Sequence, residues 1–355
     1  MKKKSLNVKK IIHRNLIKKL KNPKIKIIYN EFENSLKKID PSEKFAVALS
    51  GGADSLALTY LAKCYSILNN VKIKYYHLDH RLRHNSGIEA KLLKSKLKKF
   101  DINCKILIWK GKKPNSNIQS IARENRYKLI VKESIKNNIK IILVAHHIDD
   151  LYESFLLRLL RGSGLKGLTS FNSLNTKVTD NSNINILRPL IHTTKEHLVF
   201  VAKNTFNFYL NDPSNKNKFF KRIRIRKLIN ELKNEGLNEK KLIMTINNLS
   251  ESNLTIDHYV KENQRLNSNV FISNNKIKCI IREEFFEQPN EVIFRSFGDI
   301  LKKISGKYYS PRGKSILSVL NRIKSKKLNK MTLSGCIIEK VNNSWIIYEE
   351  KSKKN

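Results

Sequence analysis

Phe45-Ala-Val-Ala-Leu49 runs directly into Ser50-Gly51-Gly52-Ala53-Asp54-Ser55. A short apolar run closed by two glycines reads as a strand buried on both faces, as a parallel sheet requires. The pattern then predicts a helix from about Asp54 to Leu68. The glycines permit a tight turn, and the turn and helix N-terminus aim N–H groups at one anionic site. The loop is not a Walker A loop, because no lysine follows the second glycine. An acidic Asp54 beside a phosphate cradle is electrostatically awkward unless Mg²⁺ lies between them. The competing reading is a plain strand–turn–helix connection with Asp54 as a cap.

Outward from this loop the pattern alternates. Strands are predicted over Val71–Leu78, Cys104–Trp109 and Ile141–Ala145, and helices over Ser86–Phe100, Asn117–Asn137 and Asp149–Arg161. Such alternation predicts an α/β fold with a doubly wound parallel sheet. Asn172–Asn185 reads as a loop and Asn211–Asn215 as a turn, with helices from Thr194 and over Lys218–Leu232. Beyond Glu235 the spacing suggests two amphipathic helices, then a mixed region with strands near Lys276–Arg282 and Ser344–Glu349. The expected division is a basic helical extension over 1–40, a catalytic domain over 41–230 and a mostly helical accessory region over 231–355.

Ala145-His146-His147-Ile148-Asp149-Asp150 ends another predicted strand. Ligands of open α/β sheets bind outside the carboxyl ends of strands, so this motif and the glycine loop should open onto one crevice. Two carboxylates beside two imidazoles can hold an amine, bind metal or relay protons; they can also merely cap a helix. His77-Leu-Asp79-His80-Arg81-Leu-Arg83 occupies a third strand end and suits a nucleotide or phosphate contact better than zinc. Arg123 and Arg126 share one helix face, as do Arg158 and Arg161. Arg222, Arg224 and Arg226 give their helix a phosphate-binding character.

The 355 residues carry 71 Lys and Arg against 30 Asp and Glu, a formal net charge of +41. That excess points to a polyanionic partner, nucleic acid first. The abundance of Lys, Ile and Asn also matches A+T-rich codons, which make many proteins basic whatever they bind. A 40% apolar content suffices for cores and excludes global disorder. No apolar run approaches membrane-spanning length, and the basic N-terminus lacks a signal peptide's apolar segment. Cys64, Cys104, Cys279 and Cys336 form no CxxC pair and no disulfide framework. A cytoplasmic protein without a membrane partner is expected, its oligomeric state open, a homodimer included.

SGGADS resembles the PP-loop of the N-type ATP pyrophosphatases, which cleave ATP between its α and β phosphates. HLDHRLR, ARENRY, AHHIDDLYESFLLRLLRGSGLKGL, LRPLI, and NDPSN followed by RIR occur in that order between Phe45 and Leu232. Together they resemble the tRNA(Ile)-lysidine synthase family, whose fold is of the adenine nucleotide α-hydrolase type. A fainter likeness to the end of some members lies in Thr332–Ile338. The resemblance implies adenylylation of the wobble cytidine of an isoleucine tRNA with a CAU anticodon, then attack of free L-lysine on C2 with loss of AMP.

Under this resemblance Ser50, Gly51, Gly52, Ala53, Asp54 and Ser55 would hold ATP, helped by His77 and Asp79, with Mg²⁺ on Asp54. The expected catalytic set is Asp54, His146, Asp149, Asp150 and Arg126. Asp149, Glu153 and Arg188 would hold lysine. Arg158, Arg161, Arg222, Arg224 and Arg226 would contact tRNA, with 231–355 as a further tRNA-binding region. A PP-loop tRNA thiolase is the first alternative, disfavoured by the missing cysteine pairs. A small-molecule PP-loop ligase and a non-catalytic RNA-binding protein are the others, the last disfavoured by the intact acidic and imidazole groups.

Overall fold

The computed structural model of the chain describes residues 2–37, 39–40, 42–83, 85–111, 118–170, 175–177, 184–210, 221–273, 276–307 and 310–350. They divide into two compact units, 1–246 and 247–355.

In the first unit, strands β1 (Phe45–Leu49), β2 (Ile73–Asp79), β3 (Cys104–Ile108), β4 (Ile141–Leu143) and β6 (Asn185–Leu187) run parallel, and β5 (Asn175–Lys177) pairs antiparallel with β6 at the edge. The order is β3-β2-β1-β4-β6-β5. The chain moves outward from β1 through β2 to β3, then returns to β4 on the other side of β1. That reversal is a topological switch point, where the connections leaving β1 and β4 part and open a crevice.

Both sheet faces are covered, which is why β1 has no polar residue. Phe45, Val47 and Leu49 join one core with helices α1 (Lys2–Lys19), α2 (Pro23–Leu36), α3 (Ala53–Leu68), α4 (Ser86–Lys98) and α8 (Lys195–Phe206). Ala46 faces the opposite core, with Tyr76, Ile142 and Ile186 of the sheet and Ile130 of α5 (Ile118–Lys136). Helices α6 (Ile148–Leu159), α7 (Leu165–Thr169) and α9 (Lys221–Asn234) complete the sequence before α10 (Glu239–Asn267).

The basic N-terminal stretch is built into this unit. Leu16 is 2% exposed, its carbonyl accepts from the buried Tyr60 hydroxyl, and Lys19 donates to the Asn204 and Thr205 carbonyls at the end of α8. The Asn22 side chain caps α2 by accepting from Lys24 and Ile25 N–H, with Pro23 at the first turn. Leu16→Ala is expected to destabilise the protein by about 2–5 kcal/mol in denaturant unfolding, the cost of a buried cavity. A change below about 0.5 kcal/mol would mean that α1 is only loosely attached.

Two expectations shift. The compact units part at Ile246 and Asn247, inside α10, rather than at residue 230. Where two helices were expected beyond Glu235, α10 is continuous: Asn and Ser interrupt its apolar spacing, but it contains neither Pro nor Gly to break it. The second unit then forms a five-stranded antiparallel sheet, β7 (Ser268–Ser273), β8 (Lys276–Arg282), β9 (Lys330–Leu333), β10 (Cys336–Val341) and β11 (Ser344–Glu349), in the order β7-β8-β11-β10-β9. Helices α11 (Asn290–Ser305) and α12 (Gly313–Lys324) cover one face, with Phe297, Leu301, Ile316 and Leu320 against Cys279, Ile338, Trp345 and Ile347. No helix among the described residues is long and apolar enough to cross a membrane.

Candidate active site

The loop after β1 is held by its own hydroxyls. Ser55 Oγ accepts from Gly51 N–H at 3.0 Å and from Ser50 Oγ at 3.0 Å, and donates to the Gly52 carbonyl at 2.9 Å. All its hydrogen-bonding capacity shapes the turn. Gly51 sits at φ +94°, and a Cβ there would come within 2.7 Å of Leu210 Cδ1, so only glycine fits. Leu210 N–H donates to the Gly51 carbonyl at 2.9 Å, tying the loop to the segment after α8. Gly52 is the N-cap of α3 and supplies no side chain to it. The first N–H groups of α3, beginning at Ala53, are therefore available to an anion at the crevice.

Across the crevice, α6 begins at the end of the β4 connection. His147, its N-cap, is buried and surrounded by carboxylates: Asp54 Oδ2 at 3.6 Å and Asp150 Oδ2 at 3.5 Å from Nε2, and Asp149 Oδ2 at 3.3 Å from Nδ1. Asp150 also accepts from His147 N–H at 3.2 Å, and Asp149 from Lys195 N–H at the start of α8 at 3.0 Å. Burial alone would lower the pKa of His147, but Asp149, Asp54 and Asp150 outweigh it and raise it to about 10. Burial would raise that of Asp149, yet His147 and the Lys195 N–H bring it to about 2.

These shifts have opposite signs of pH dependence. The His147 contribution is complete below its ordinary 6.5 and is lost as the pH rises towards 10. The Asp149 contribution is present above its ordinary 3.8 and is lost as the pH falls towards 2. The cluster therefore stabilises most between these two ordinary values. His147→Asn is expected to lower Tm most in that window, with the gap to wild type narrowing as the pH rises to 10. A gap that stays constant over that rise would show that His147 is not held protonated.

One turn along α6, Glu153 is 3% exposed. Its Oε1 accepts from Arg226 Nε of α9, which spans 73 residues of sequence, while its Oε2 has no hydrogen-bond partner among the described residues. Asp54 Oδ1 is likewise buried without a partner. Burial would lower the pKa of Arg226, but Glu153 overcomes this and raises it. Asp150 and Asp54 act on the same guanidinium, so loop, α6 and α9 share one electrostatic site.

At the end of β2, His77 Nδ1 donates to the Leu49 carbonyl at 2.9 Å, and Asp79 accepts from Arg81 N–H at 2.9 Å. Burial lowers the pKa of His77. Burial, Arg126 and His77 bring that of His80 down to about 4, with Arg126 Nη2 3.4 Å from His80 Nε2. Both imidazoles are thus neutral here. Beyond β4, Arg188 Nε donates to His146 Nδ1 at 3.2 Å, so His146 carries its proton on Nε2. Arg158 donates to the Gly167 carbonyl. Burial and neighbouring arginines lower the pKa of both Arg158 and Arg188, with Arg123 acting on each.

Asp54, Asp149 and Asp150 thus meet at His147, and Glu153 and Arg226 join the same electrostatic site; His77 bonds to the end of β1, Arg126 lies beside His80, Arg188 beside His146, and Arg158 beside Gly167. Arg161 and Arg224 are exposed. The side chain of Arg222 and the turn at 211–215 lie outside the described residues, as do 218–220 and most of 172–183. From sequence, His147 is only one of two imidazoles in its motif and Arg123 only shares a helix face with Arg126, and neither belongs to the expected catalytic or binding sets. His147 could not be told from His146 because β4 ends at Leu143, beyond which strand alternation assigns no face.

Among the described residues, no group of three His, Cys, Asp or Glu side chains is arranged to hold a metal. Mg²⁺ shared with phosphates needs only one or two carboxylates, and the unpartnered Asp54 Oδ1 beside the α3 N-terminus fits that requirement.

A sheet with its crevice at the switch point and a glycine loop at a helix N-terminus defines a nucleotide-binding α/β domain, and the PP-loop domain family matches residues 22–232. A tRNA(Ile)-lysidine synthase of Wolbachia pipientis is 32% identical over 315 residues, covering 88% of this chain and 72% of the relative. One of Rickettsia bellii is 31% identical over 338 residues, covering 92% and 75%. The chain belongs to the tRNA(Ile)-lysidine synthase family. Among solved structures, a U34-tRNA thiolase of Methanococcus maripaludis shares the fold, with a TM-score of 0.53 at 18% identity over 64% of this chain and 79% of that one.

Proposed function

We propose that this chain is an ATP-dependent ligase that joins lysine to C2 of the wobble cytidine of a CAU-anticodon isoleucine tRNA. The observation that carries the reading is an anion site and a cation site side by side: the α3 N-terminus, and the α6 carboxylates, of which Glu153 is buried with Oε2 unpartnered among the described residues. A triphosphate and a lysine ammonium call for that juxtaposition.

In this reading the Ser50–Ser55 loop seats the ATP phosphates, and His77 and Asp79 line the nucleotide side. Mg²⁺ on Asp54 would neutralise the leaving pyrophosphate. The cytidine O2 attacks the α phosphate, giving an adenylylated base. Asp149, Asp150 and Glu153 receive the lysine ammonium and place it at C2, and Arg188 faces its carboxylate. The carboxylates favour the charged amine, whose ordinary pKa is about 10.4, so its proton leaves as the C–N bond forms. Neither neighbouring imidazole is a ready acceptor: the one lone pair of His146, on Nδ1, already accepts from Arg188, and His147 is held protonated. The proton passes to a carboxylate or to solvent, and AMP departs. Much of the acceleration comes from positioning lysine against an activated base.

Arg158, Arg161, Arg222, Arg224 and Arg226 and the second unit are proposed to contact the tRNA, Arg226 also pairing with Glu153, and the proposed setting is the cytoplasm. The cysteines weigh against sulfur transfer. All four are buried free thiols, and burial raises Cys64 to about 12 and Cys104, Cys279 and Cys336 to about 11. Such thiols are poor nucleophiles. The test is mass spectrometry of nuclease-digested tRNA(Ile) after reaction with ATP and a full amino-acid mixture. A lysine adduct on cytidine supports the reading; a thiolated cytidine formed with a sulfur donor, and no lysine adduct, overturns it.

A further inference from the structure

A groove of about 720 Å³ lies between α1, α2 and the C-terminal end of α3, away from the crevice. Arg14, Lys18, Lys21 and Lys26 line it over Ile17, Leu20, Tyr29 and Leu68. All four cations are exposed, and among the described residues none has an ion-pair partner. Nearby basic groups with structural duties are engaged: Lys19 with carbonyls of α8, Lys9 and Lys63 with Asp101. Among the described residues no carboxylate lines the groove; Glu33, one turn further along α2, accepts from the Tyr29 hydroxyl at 3.2 Å. The groove is therefore strongly positive with an apolar floor.

Its walls are fixed by the buried Leu16, the Tyr60–Leu16 hydrogen bond and the Asn22 cap, so the cations are presented by a preformed concavity. α3 begins at the glycine loop and ends at the groove. Its 16 residues set the two apart by roughly 24 Å. No group bound here can take part in the chemistry, but a tRNA whose anticodon loop enters the crevice extends beyond its anticodon stem far enough to reach the groove.

We propose that this groove seats the sugar–phosphate backbone of the tRNA substrate, remote from the base being modified. Closely spaced phosphates match four unpaired cations, and ribose faces match the apolar floor. The inference rests on tRNA being the substrate.

The test compares wild type with the neutralised variant Arg14→Gln/Lys18→Gln/Lys21→Gln/Lys26→Gln and the charge-retaining variant Arg14→Lys/Lys18→Arg/Lys21→Arg/Lys26→Arg. All the altered side chains are exposed, and unchanged Tm confirms the fold. The readouts are Kd for a full-length tRNA transcript and for its isolated anticodon stem-loop against salt, and lysine incorporation. Neutralisation is expected to weaken full-length binding at least about tenfold and to flatten the log K against log salt slope by roughly 2–4, at about 0.9 per phosphate. Stem-loop binding and its labelling should stay as in wild type, and the charge-retaining variant should restore full-length binding. Unchanged full-length Kd and slope, in a preparation whose wild type labels the tRNA, would overturn the groove and leave the proposed reaction standing. A wild type that labels no tRNA would instead overturn the reaction, with the slope of the same transcript still deciding the groove.

Discussion

Asp54→Asn is expected to reduce lysine incorporation by roughly a hundred- to a thousandfold, the scale of losing one preorganised charge at a reacting group. Asparagine keeps the shape and removes the charge. Asp54 reaches the crevice from the first turn of α3, with Oδ1 unpartnered and Oδ2 3.6 Å from His147. His147 keeps Asp149 and Asp150, so the cluster survives. The loss of one acidic group near a helix N-terminus costs about 1 kcal/mol or less. Tm should therefore barely move while tRNA-dependent conversion of ATP to AMP disappears. Normal turnover in this variant would remove Asp54, and the metal proposed on it, from the mechanism.

Glu153→Gln acts on the other substrate. Glu153 is buried, one oxygen bonded to Arg226 and the other open. Glutamine retains an acceptor for Arg226 but lacks the charge that would hold an ammonium. A hydrogen bond to a charged partner is worth about 1.5–3 kcal/mol, so KM for lysine should rise roughly ten- to a hundredfold. The tRNA-dependent exchange of pyrophosphate into ATP precedes lysine and should stay near wild type. If exchange fell as far as lysine incorporation, the Glu153–Arg226 pair would be a tie between α6 and α9 rather than a lysine site. Arg226 is 39% exposed at its side chain, so solvent moderates the stability cost of disturbing the pair.

What the sequence makes legible follows from range. β1 and its loop are readable because a strand buried on both faces must be apolar throughout and because Gly51 has no substitute at its φ. The HHIDD segment announces a helix start by its acids. By contrast, β5 and β6 are three residues each at an Asn- and Thr-rich stretch, and they are fixed by their neighbours, β6 by β4 and β5 by β6, rather than by their own pattern. The Glu153–Arg226 pair spans 73 residues, so sequence assigned its members to different substrates. The role of His147 depends on three carboxylates from two elements converging on one ring, which no local spacing encodes. The basic N-terminal stretch looks like an appendage because its charge dominates, yet Leu16, Ile25, Ile28 and Phe32 at helical spacing bury it in the core.

The central claim is that one crevice activates a tRNA cytidine with ATP and delivers lysine to it. Its most direct measurement is incorporation of radiolabelled lysine, with ATP and Mg²⁺, into an unmodified CAU-anticodon isoleucine tRNA. A variant with guanosine at the wobble position and an elongator methionine tRNA, which shares the anticodon, serve as controls. The account predicts label in the isoleucine tRNA alone. No label in that tRNA from folded protein, with ATP consumed only when a sulfur donor is present, would contradict it.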